Sequence, residues 1–412
     1  MEVSLSGSGQ DKLAKPPKVI CFIGKSLSIL FEGSEIRRIV SRATISRGRV
    51  AESVHSNFIR TDSHRQERLF YTFIDCRSHL IMKYLLALIP LITCCAFGQS
   101  FKPVNPNASP EAERLLSWLY EIDDVNTLAG QHNYNHEMSR YTNKAQEIGG
   151  RLPAIWGTDF IWSGPQDPGQ KIVDEAIAKH RNGVIITLMW HAGRPMDEPP
   201  FRWSESIQGE VTEEEWNEIT TPGTPLHAQW RNQIDQVASY LKQLRDAGVP
   251  VLWRPYHEMN GVWFWWGDKK GEEGYTRLWK LMYDRFVNYH GLNNLLWVWN
   301  ANAPRDIPKD EAYAYEAYYP GHEYVDVLAT DVYNYDYEQK DYQELLDLAQ
   351  GKLIALGEVG ELPKPEILHA QPKWAWFMVW SSWLETHNTL ERVMTIYNLK
   401  ETLTLEEIGS RQ

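Results

Sequence analysis

Two glutamates end apolar runs in positions where their carboxyl groups could act on one substrate. Glu258 ends the run 251–258, and Glu358 ends the run 353–358, a hundred positions later. Paired carboxylic acids cleave glycosidic bonds, because one protonates the departing oxygen while the other attacks the anomeric carbon or activates water. A carboxyl separation of about 5–5.5 Å retains the anomeric configuration, and about 6.5–9.5 Å inverts it. The sequence by itself leaves both outcomes open.

The surroundings of these glutamates favour a sugar site over a structural ion pair. A single glutamate at a strand end is equally well explained by pairing with a buried arginine, and Arg254 is such a partner. Two glutamates within an aromatic-rich region are harder to explain in that way. Trp263, Trp265 and Trp266 follow Glu258 closely, and flat rings pack against the C–H faces of pyranoses. We predict Trp263 as a sugar platform and place Trp265 and Trp266 in the core.

The motifs of other common reactions are missing from the sequence. Gly261 occupies the position at which a zinc protease helix, H-E-x-x-H, has its second histidine. No G-x-S-x-G elbow, Walker loop or dinucleotide fingerprint occurs at a predicted strand–helix junction. His191, His257 and a carboxylate are a weak candidate for a metal site. We therefore expect neither a metal nor another cofactor.

Eight short apolar runs alternate with segments of helical periodicity after residue 101. The candidate strands are 125–131, 152–159, 184–191, 249–257, 295–300, 325–333, 352–358 and 374–380. Several are continuously apolar, as is typical of strands buried on both faces. Residues 227–248 and 275–286 show the spacing of amphipathic helices. The alternation predicts an α/β fold, a (β/α)8 TIM barrel forming a single catalytic domain.

Polar and aromatic residues at the ends of these strands define the predicted site, because barrel chemistry lies at the carboxyl ends of the strands. They are Asp159, His191, His257, Glu258, Asp331, Tyr333, Glu358 and Trp380. The fourth and seventh strands face each other, so Glu258 and Glu358 can meet in one pocket. Arg254 and Asp159 are included in the predicted substrate-binding set. Burial and the charge of Glu358 would keep Glu258 protonated near neutral pH by raising its pKa.

Four runs together resemble glycoside hydrolase family 26. They are Gly130-Gln131-His132, 253–267, 329–333 and 357–360, within a resemblance that extends over nearly all of residues 101–400. The resemblance implies a retaining, endo-acting β-1,4-mannanase with Glu258 as acid/base and Glu358 as nucleophile. It also implies that His191, His257, Tyr333 and Trp380 line the subsite of the attacked sugar, with Trp263 alongside. Within 193–226 we assign no counterpart of the family's residues, so subsite preferences stay open.

We expect a secreted hydrolase that acts on mannan, glucomannan or galactomannan. A neutral glycan suits a protein of net charge −12, and that charge argues against a nucleic-acid partner. The alternatives are a 1,3-β-xylanase, a mixed-linkage β-glucanase or a non-catalytic glycan-binding barrel. The residues themselves leave open endo against exo cleavage and the tolerance of galactose branches.

The first part of the chain differs in composition from the rest. Residues 1–81 have a net charge of +5 and no tryptophan. Met82 and Lys83 then open an apolar run that ends near the small residues Ala96 and Gly98, the pattern of a secretory signal peptide. We predict Met82 as the true start, 82–98 as the signal peptide and 1–81 as a non-native or disordered extension. The alternative is a signal-anchor with residues 1–81 in the cytoplasm.

The signal peptide predicts a secreted or periplasmic protein, and the run 91–94 loosely resembles a lipobox, which would attach Cys94 to lipid at the cell surface. All four cysteines precede residue 101, so residues 101–412 have no disulfide or thiol chemistry. The apolar run is too short to span a bilayer. We expect no membrane span and a monomer whose partner is its polysaccharide substrate.

Overall fold

The structure is a computed structural model that describes residues 102–164 and 166–408, together with two short strands upstream. These strands, Ile20–Phe22 and Ser28–Leu30, pair in antiparallel fashion. The rest of the predicted extension 1–81 and the predicted signal peptide 82–98 lie outside the described residues, so both stay predictions. Within the described ranges, no helix has the length and apolar character needed to cross a membrane.

Eight parallel strands form a closed barrel. They are β1 Thr127–His132, β2 Ile155–Asp159, β3 Ile185–Trp190, β4 Val251–Pro255, β5 Leu295–Asn302, β6 Val327–Val332, β7 Leu353–Val359 and β8 Trp374–Val379. Neighbouring strands pair in chain order, and β8 pairs with β1 to close the ring. Every residue of these strands is buried, as their apolar sequences predict. The predicted (β/α)8 barrel is confirmed.

Helices pack around the barrel, most of them on its outside and the first against its amino-terminal end. They are α1 Pro110–Ile122, α2 Arg140–Gly149, α3 Gly169–Arg181, α4 Glu213–Thr220, α5 Pro225–Asp246, α6 Tyr275–Asp284, α7 Gln339–Ala349, α8 Pro365–Ala370, α9 Trp383–Thr386, α10 Leu390–Tyr397 and α11 Leu405–Ile408. The hydroxyl of Thr224 caps α5, whose first turn contains Pro225. Its predicted apolar stripe is buried.

Two apolar cores hold the fold together. The inner core consists of inward-facing strand residues such as Leu128, Ile155 and Leu252, and α1 packs on it through Leu116 and Leu119. Ser109, just before α1, donates its backbone N–H to the carbonyl of Asn293, which precedes β5. This contact places α1 at the amino-terminal end of the barrel. The outer core lies between the strands and the surrounding helices.

The observed bounds of every barrel strand differ from the predicted ones, by up to three residues at an end. Strand β1 begins at Thr127 rather than at residue 125, because Val125 is 65% exposed. Strand β4 ends at Pro255, because Tyr256 and Glu258 adopt left-handed backbone conformations that interrupt an extended chain. Strand β7 continues to Val359, so Glu358 lies inside it rather than at its end. After α10, Thr402–Leu403 form a short strand, β9, that pairs with the start of β1.

Candidate active site

The carboxyl ends of the barrel strands surround a cavity of about 380 Å³. Its lining residues are His191, Trp203, Gln208, His257, Glu258, Trp263, Phe264, Asn302, Arg305, Asp310, Tyr333, Asn334, Glu358, Trp380 and Trp383. The set includes both predicted catalytic glutamates and most of the predicted substrate-binding residues. The strand geometry therefore brings Glu258 and Glu358 to one cavity.

Glu258 is largely buried, and both of its carboxyl oxygens accept hydrogen bonds from neutral donors. Its Oε2 accepts a hydrogen bond of 2.8 Å from the indole of Trp263, and its Oε1 accepts one of 2.6 Å from the amide of Asn302. Burial, reinforced by the charge of Glu358, raises the pKa of Glu258 to about 7, against the opposing effects of these donors and of Arg305. Glu258 therefore holds a proton that it can give to a leaving group.

A strained turn sets the position of Glu258. Tyr256 and Glu258 have φ of 47° and 52°, and neither is glycine. Such conformations cost about 1–3 kcal/mol each and cluster at functional sites. The backbone N–H of Glu258 donates to the carbonyl of Asn300 in β5, at 2.7 Å. This bond ties the turn after β4 to the neighbouring strand.

Glu358 has a very different, charged environment. Its Oε1 accepts a hydrogen bond of 2.8 Å from the guanidinium of Arg254, and its Oε2 accepts one of 2.7 Å from the hydroxyl of Tyr333. Burial and the nearby charge of Glu358 raise the pKa of Tyr333 well above its usual range, so this hydroxyl stays a donor. The amide oxygen of Asn300 accepts from Arg254 and fixes it in place. These contacts suit an ionised carboxylate held in one orientation.

Asp159 and Arg254 lie behind the residues that line the cavity. One oxygen of Asp159 accepts from the ring Nδ1 of His191 at 2.6 Å, and the other accepts from the backbone N–H of the same residue. Arg254 contacts Glu358 in the same supporting way. Neither residue lines the cavity, and both contact side chains that do; the substrate-binding role predicted for them stays a prediction.

Aromatic rings form much of the cavity wall. Trp380 stacks on the buried ring of His132, with centroids 4.2 Å apart, and Trp383 stacks on His387. Trp265 and Trp266 are buried, which confirms their predicted place in the core. Trp263 lines the cavity, and its indole N–H also binds Glu258. Trp263 therefore forms part of the cavity wall and contacts Glu258 directly, and its role as a sugar platform stays a prediction.

Several lining residues were missed by the sequence analysis. Trp203 and Gln208 belong to the segment 193–226, in which a π-helical turn, Trp203–Ile207, brings them to the cavity. The others are Phe264, Asn302, Arg305, Asp310, Asn334 and Trp383. Asn302 is the last residue of β5, so its strand-end position was a usable signal. The remaining residues lie in irregular loops or short helical turns that no periodicity marks.

One group of side chains has the composition of a metal site. Donor atoms of His257, Asp331 and Glu358 lie within 4.8 Å of one another. The guanidinium of Arg254 lies 2.8 Å from Glu358 and 3.7 Å from Asp331, so positive charge already faces both carboxyl groups. Burial lowers the pKa of His257 and keeps it neutral. This group is better described as an ion-pair network around Arg254, and the absence of a metal stays a prediction.

The whole arrangement fits cleavage of an acetal. A protonated carboxyl group and an ion-paired carboxylate face one cavity with aromatic walls. The first can protonate a departing oxygen, and the second can attack or stabilise the carbon that loses it.

Comparison with known proteins gives a consistent result. A model of glycosyl hydrolase family 26 matches residues 104–407. A mannan endo-1,4-beta-mannosidase of Thermothelomyces thermophilus is 35% identical over 324 residues, covering 75% of this chain and 63% of that protein. The solved structure of GH26A from a Muricauda species is 60% identical, with a TM-score of 0.73, covering 74% of this chain and 99% of that one.

A third relative was solved with a sugar. It is a beta-mannanase from a symbiotic protist of the termite Reticulitermes speratus, complexed with gluco-manno-oligosaccharide; it is 28% identical, has a TM-score of 0.66, and covers 75% of this chain and 97% of that one. The chain spans between one half and two thirds of the length of the curated fungal relatives that it matches.

Proposed function

Because the chain belongs to glycosyl hydrolase family 26, we propose that it is an endo-acting β-1,4-mannanase that retains the anomeric configuration. The observation that supports this most is the convergence of Glu258 and Glu358 on one cavity in opposite electrostatic environments. A non-catalytic barrel that only binds glycans would not need a buried carboxyl group such as Glu258, whose pKa is raised to about 7.

The proposed reaction proceeds in two displacements. In the first, Glu358 attacks the anomeric carbon while Glu258 protonates the glycosidic oxygen, so the bond to the leaving sugar breaks and a glycosyl ester forms. In the second, Glu258 removes a proton from water, which attacks the same carbon and releases Glu358. Arg254 and Tyr333 hold Glu358 in line for attack. At the end of the cycle, Glu258 is protonated again and Glu358 is again a free carboxylate.

The proposed substrates are mannan, glucomannan and galactomannan. The named activities of the fungal and protist relatives support this class, and the gluco-manno-oligosaccharide bound to the protist enzyme is of the same chemistry. A cavity walled by tryptophans suits neutral pyranose rings. Since such polymers lie outside cells, we also propose that the chain is exported, with residues 82–98 as its signal peptide.

Product analysis tests the substrate and the stereochemistry together. The full chain is incubated with unbranched mannan, glucomannan, β-1,3-xylan and mixed-linkage β-glucan, and the first-formed anomer is followed by NMR. We expect short manno-oligosaccharides with the β anomer first, and little release from the other two polymers. Preferred cleavage of xylan or mixed-linkage glucan would reassign the substrate, and an initial α anomer would reject retention.

Two substitutions test the catalytic pair. Glu358→Ala should abolish turnover, and azide should restore a product of inverted configuration. Glu258→Ala should accumulate the glycosyl-enzyme from substrates with good leaving groups, visible by intact mass. Glu361→Gln is the control, because Glu361 is a buried glutamate that does not line the cavity and accepts a hydrogen bond from the backbone N–H of Tyr335 instead. Full activity in Glu358→Ala would end the assignment.

A further inference from the structure

Arg305 contacts both residues that hold Glu258. Its Nη1 donates to the side-chain oxygen of Asn302 at 2.7 Å, and its guanidinium lies 4.8 Å from the centre of the Trp263 ring. Asn302 and Trp263 in turn donate to the two oxygens of Glu258. The side chain of Arg305 therefore contacts both residues that donate hydrogen bonds to Glu258.

The charge of Arg305 determines which way the amide of Asn302 points. A guanidinium has only donors, so the group facing it must be the amide oxygen. The amide nitrogen of Asn302 must then face Glu258, to which it donates at 2.6 Å. Without Arg305, the amide could turn and present its oxygen to Glu258 instead, and the acid would lose a fixed donor.

Arg305 is itself held firmly. Its Nε donates to the carbonyl of Asp310 at 3.0 Å, and its Nη2 donates to the carboxylate of the same residue at 2.8 Å. Both residues belong to the loop 303–313 after β5, called here the β5 loop. Ala312 of this loop forms bridges with Arg305 and with Gly261, three residues beyond the acid. The β5 loop is thus joined to the segment that carries Glu258.

We propose that Arg305 is a positioning residue for the general acid, acting through the amide of Asn302 and the indole of Trp263 to hold Glu258 toward the leaving-group oxygen. This inference rests on the proposed glycosidase function. The β5 loop lies outside the predicted strands and helices. Through Arg305, it would help to position Glu258 for protonation of the leaving group in the first displacement.

The groups around Glu258 set the expected pH effect. Within the described chain, Glu358, Asp331, Tyr333 and Arg305 interact electrostatically with Glu258, and the titratable residues His191, His257 and Asp310 also line its cavity. Arg305 is the cation of this group that lowers the pKa of Glu258, and the Asn302 bond acts in the same direction. Replacing Arg305 by a neutral residue should therefore raise the pKa of Glu258 and move the alkaline limb of the rate profile upward.

The test compares Arg305→Gln with a matched control. Arg285→Gln removes a guanidinium that likewise forms two bonds to an aspartate, Asp235, and lies over the ring of Tyr289, but on the outer helices. Each variant is assayed from pH 4 to 10 on mannopentaose and on a dinitrophenyl β-mannobioside. Arg305→Gln should lose about tenfold in kcat/KM on mannopentaose, since an acid contributes about 10²–10⁴-fold. It should lose little on the aryl substrate, whose leaving group needs no proton.

The pH profile separates positioning from direct sugar binding. If Arg305 acts through Glu258, the alkaline limb of Arg305→Gln should move up by about half a pH unit or more, while Arg285→Gln keeps the wild-type limb. A residue that only binds the leaving sugar would lower kcat/KM and leave the limb unmoved, and that result would overturn the proposal. Lack of mannan cleavage by the wild-type chain would instead reject the proposed function.

A double-mutant cycle checks the route through Asn302. In an Asn302→Ala background, Arg305→Gln should have less than half of its effect on kcat/KM, because coupled residues are non-additive. An undiminished effect would contradict the proposed route. Should Arg305→Gln fail to fold, Asp310→Asn loosens the same guanidinium without removing it, and should move kcat/KM and the alkaline limb in the same directions by smaller amounts. An unchanged profile in a folded Asp310→Asn enzyme would count against the proposal.

Discussion

Glu258 and Glu358 show how two identical side chains can be assigned opposite roles by their neighbours. Neutral N–H groups surround Glu258, and burial keeps its proton in place up to about pH 7. A guanidinium and a phenolic hydroxyl point at Glu358. Pairs of titratable groups in such contrasting environments are typical of acid and base assignments. The contacts therefore support the roles that the family resemblance implies, which stay a proposal.

The pKa of Glu258 predicts the alkaline limit of activity. Its folded-state value is raised from 4.5 to about 7, so the protonated acid persists well above the range of an ordinary glutamate and is lost as the pH rises through 7. We expect kcat/KM on manno-oligosaccharides to fall tenfold per unit above about pH 7. A dinitrophenyl glycoside, which needs no protonation, should show no such limb. An alkaline limb near pH 5 would contradict this placement of the acid.

The hydroxyl of Tyr333 is predicted to contribute through Glu358. Tyr333→Phe removes a donor to the buried carboxylate but keeps the ring that contacts Trp383. Hydrogen bonds to charged groups are worth about 1.5–3 kcal/mol, so kcat/KM should drop by about 10–100-fold with little change in thermal stability. Tyr337→Phe is the control, because the hydroxyl of Tyr337 bonds a backbone carbonyl of Glu361 instead. Equal losses in both variants would reject the specific role of Tyr333.

At the scale of elements, β5 and β7 approach each other very closely next to Glu358, the proposed nucleophile. A Cβ atom at Gly357 would lie 1.7 Å from the amide oxygen of Asn300, and this oxygen holds Arg254 at 2.9 Å. Asn300 and Arg254 therefore fit only because residue 357 has no side chain. Gly357, next to the proposed nucleophile Glu358, therefore leaves the space in which Asn300 holds Arg254.

Gly357→Ala is predicted to disrupt this contact. The added methyl group must displace Asn300, which releases Arg254 from its place beside Glu358. We expect kcat/KM to fall by at least about 100-fold, together with a loss of stability of about 1–3 kcal/mol from overpacking. Gly164→Ala is the control, since a Cβ there meets nothing within 4 Å. Near-normal activity in a folded Gly357→Ala enzyme would show that Asn300 can move without consequence for Glu358.

The strands and the loops differ in how far the sequence predicts them. All eight barrel strands follow from apolar runs, and strand-end positions identify His191, Tyr333 and Trp380 because parallel strands must direct their carboxyl ends to one face. The left-handed turn at Glu258 could not be predicted, since it depends on a bond to the carbonyl of Asn300 in another strand. The contact of Arg305 with Trp263 likewise arises only when two loops meet.

The molecule as a whole separates catalysis from stability along the barrel axis. Every proposed catalytic contact lies at the carboxyl ends of the strands, while α1 covers the opposite end. The inner core between them contains inward-facing aliphatic residues and Trp376. The packing of this inner core does not involve the substrate. Substitutions at the covered end should therefore change stability and leave the chemistry intact.

Leu119→Ala in α1 tests this separation. Leu119 is fully buried against the inner core, so its truncation should lower the free energy of unfolding by about 2–5 kcal/mol. Because α1 lies at the far end of the barrel, kcat and KM of the folded variant at 25 °C should stay within about twofold of the wild type. Val125→Ala, at a 65% exposed position just after the same helix, should change neither quantity.

Urea unfolding followed by tryptophan fluorescence measures stability, and mannopentaose hydrolysis measures activity. A large loss of kcat in Leu119→Ala under conditions where the barrel is fully folded would show that the two ends of the barrel are coupled, and that the inner core transmits strain from α1 to the strand ends that hold Glu258 and Glu358.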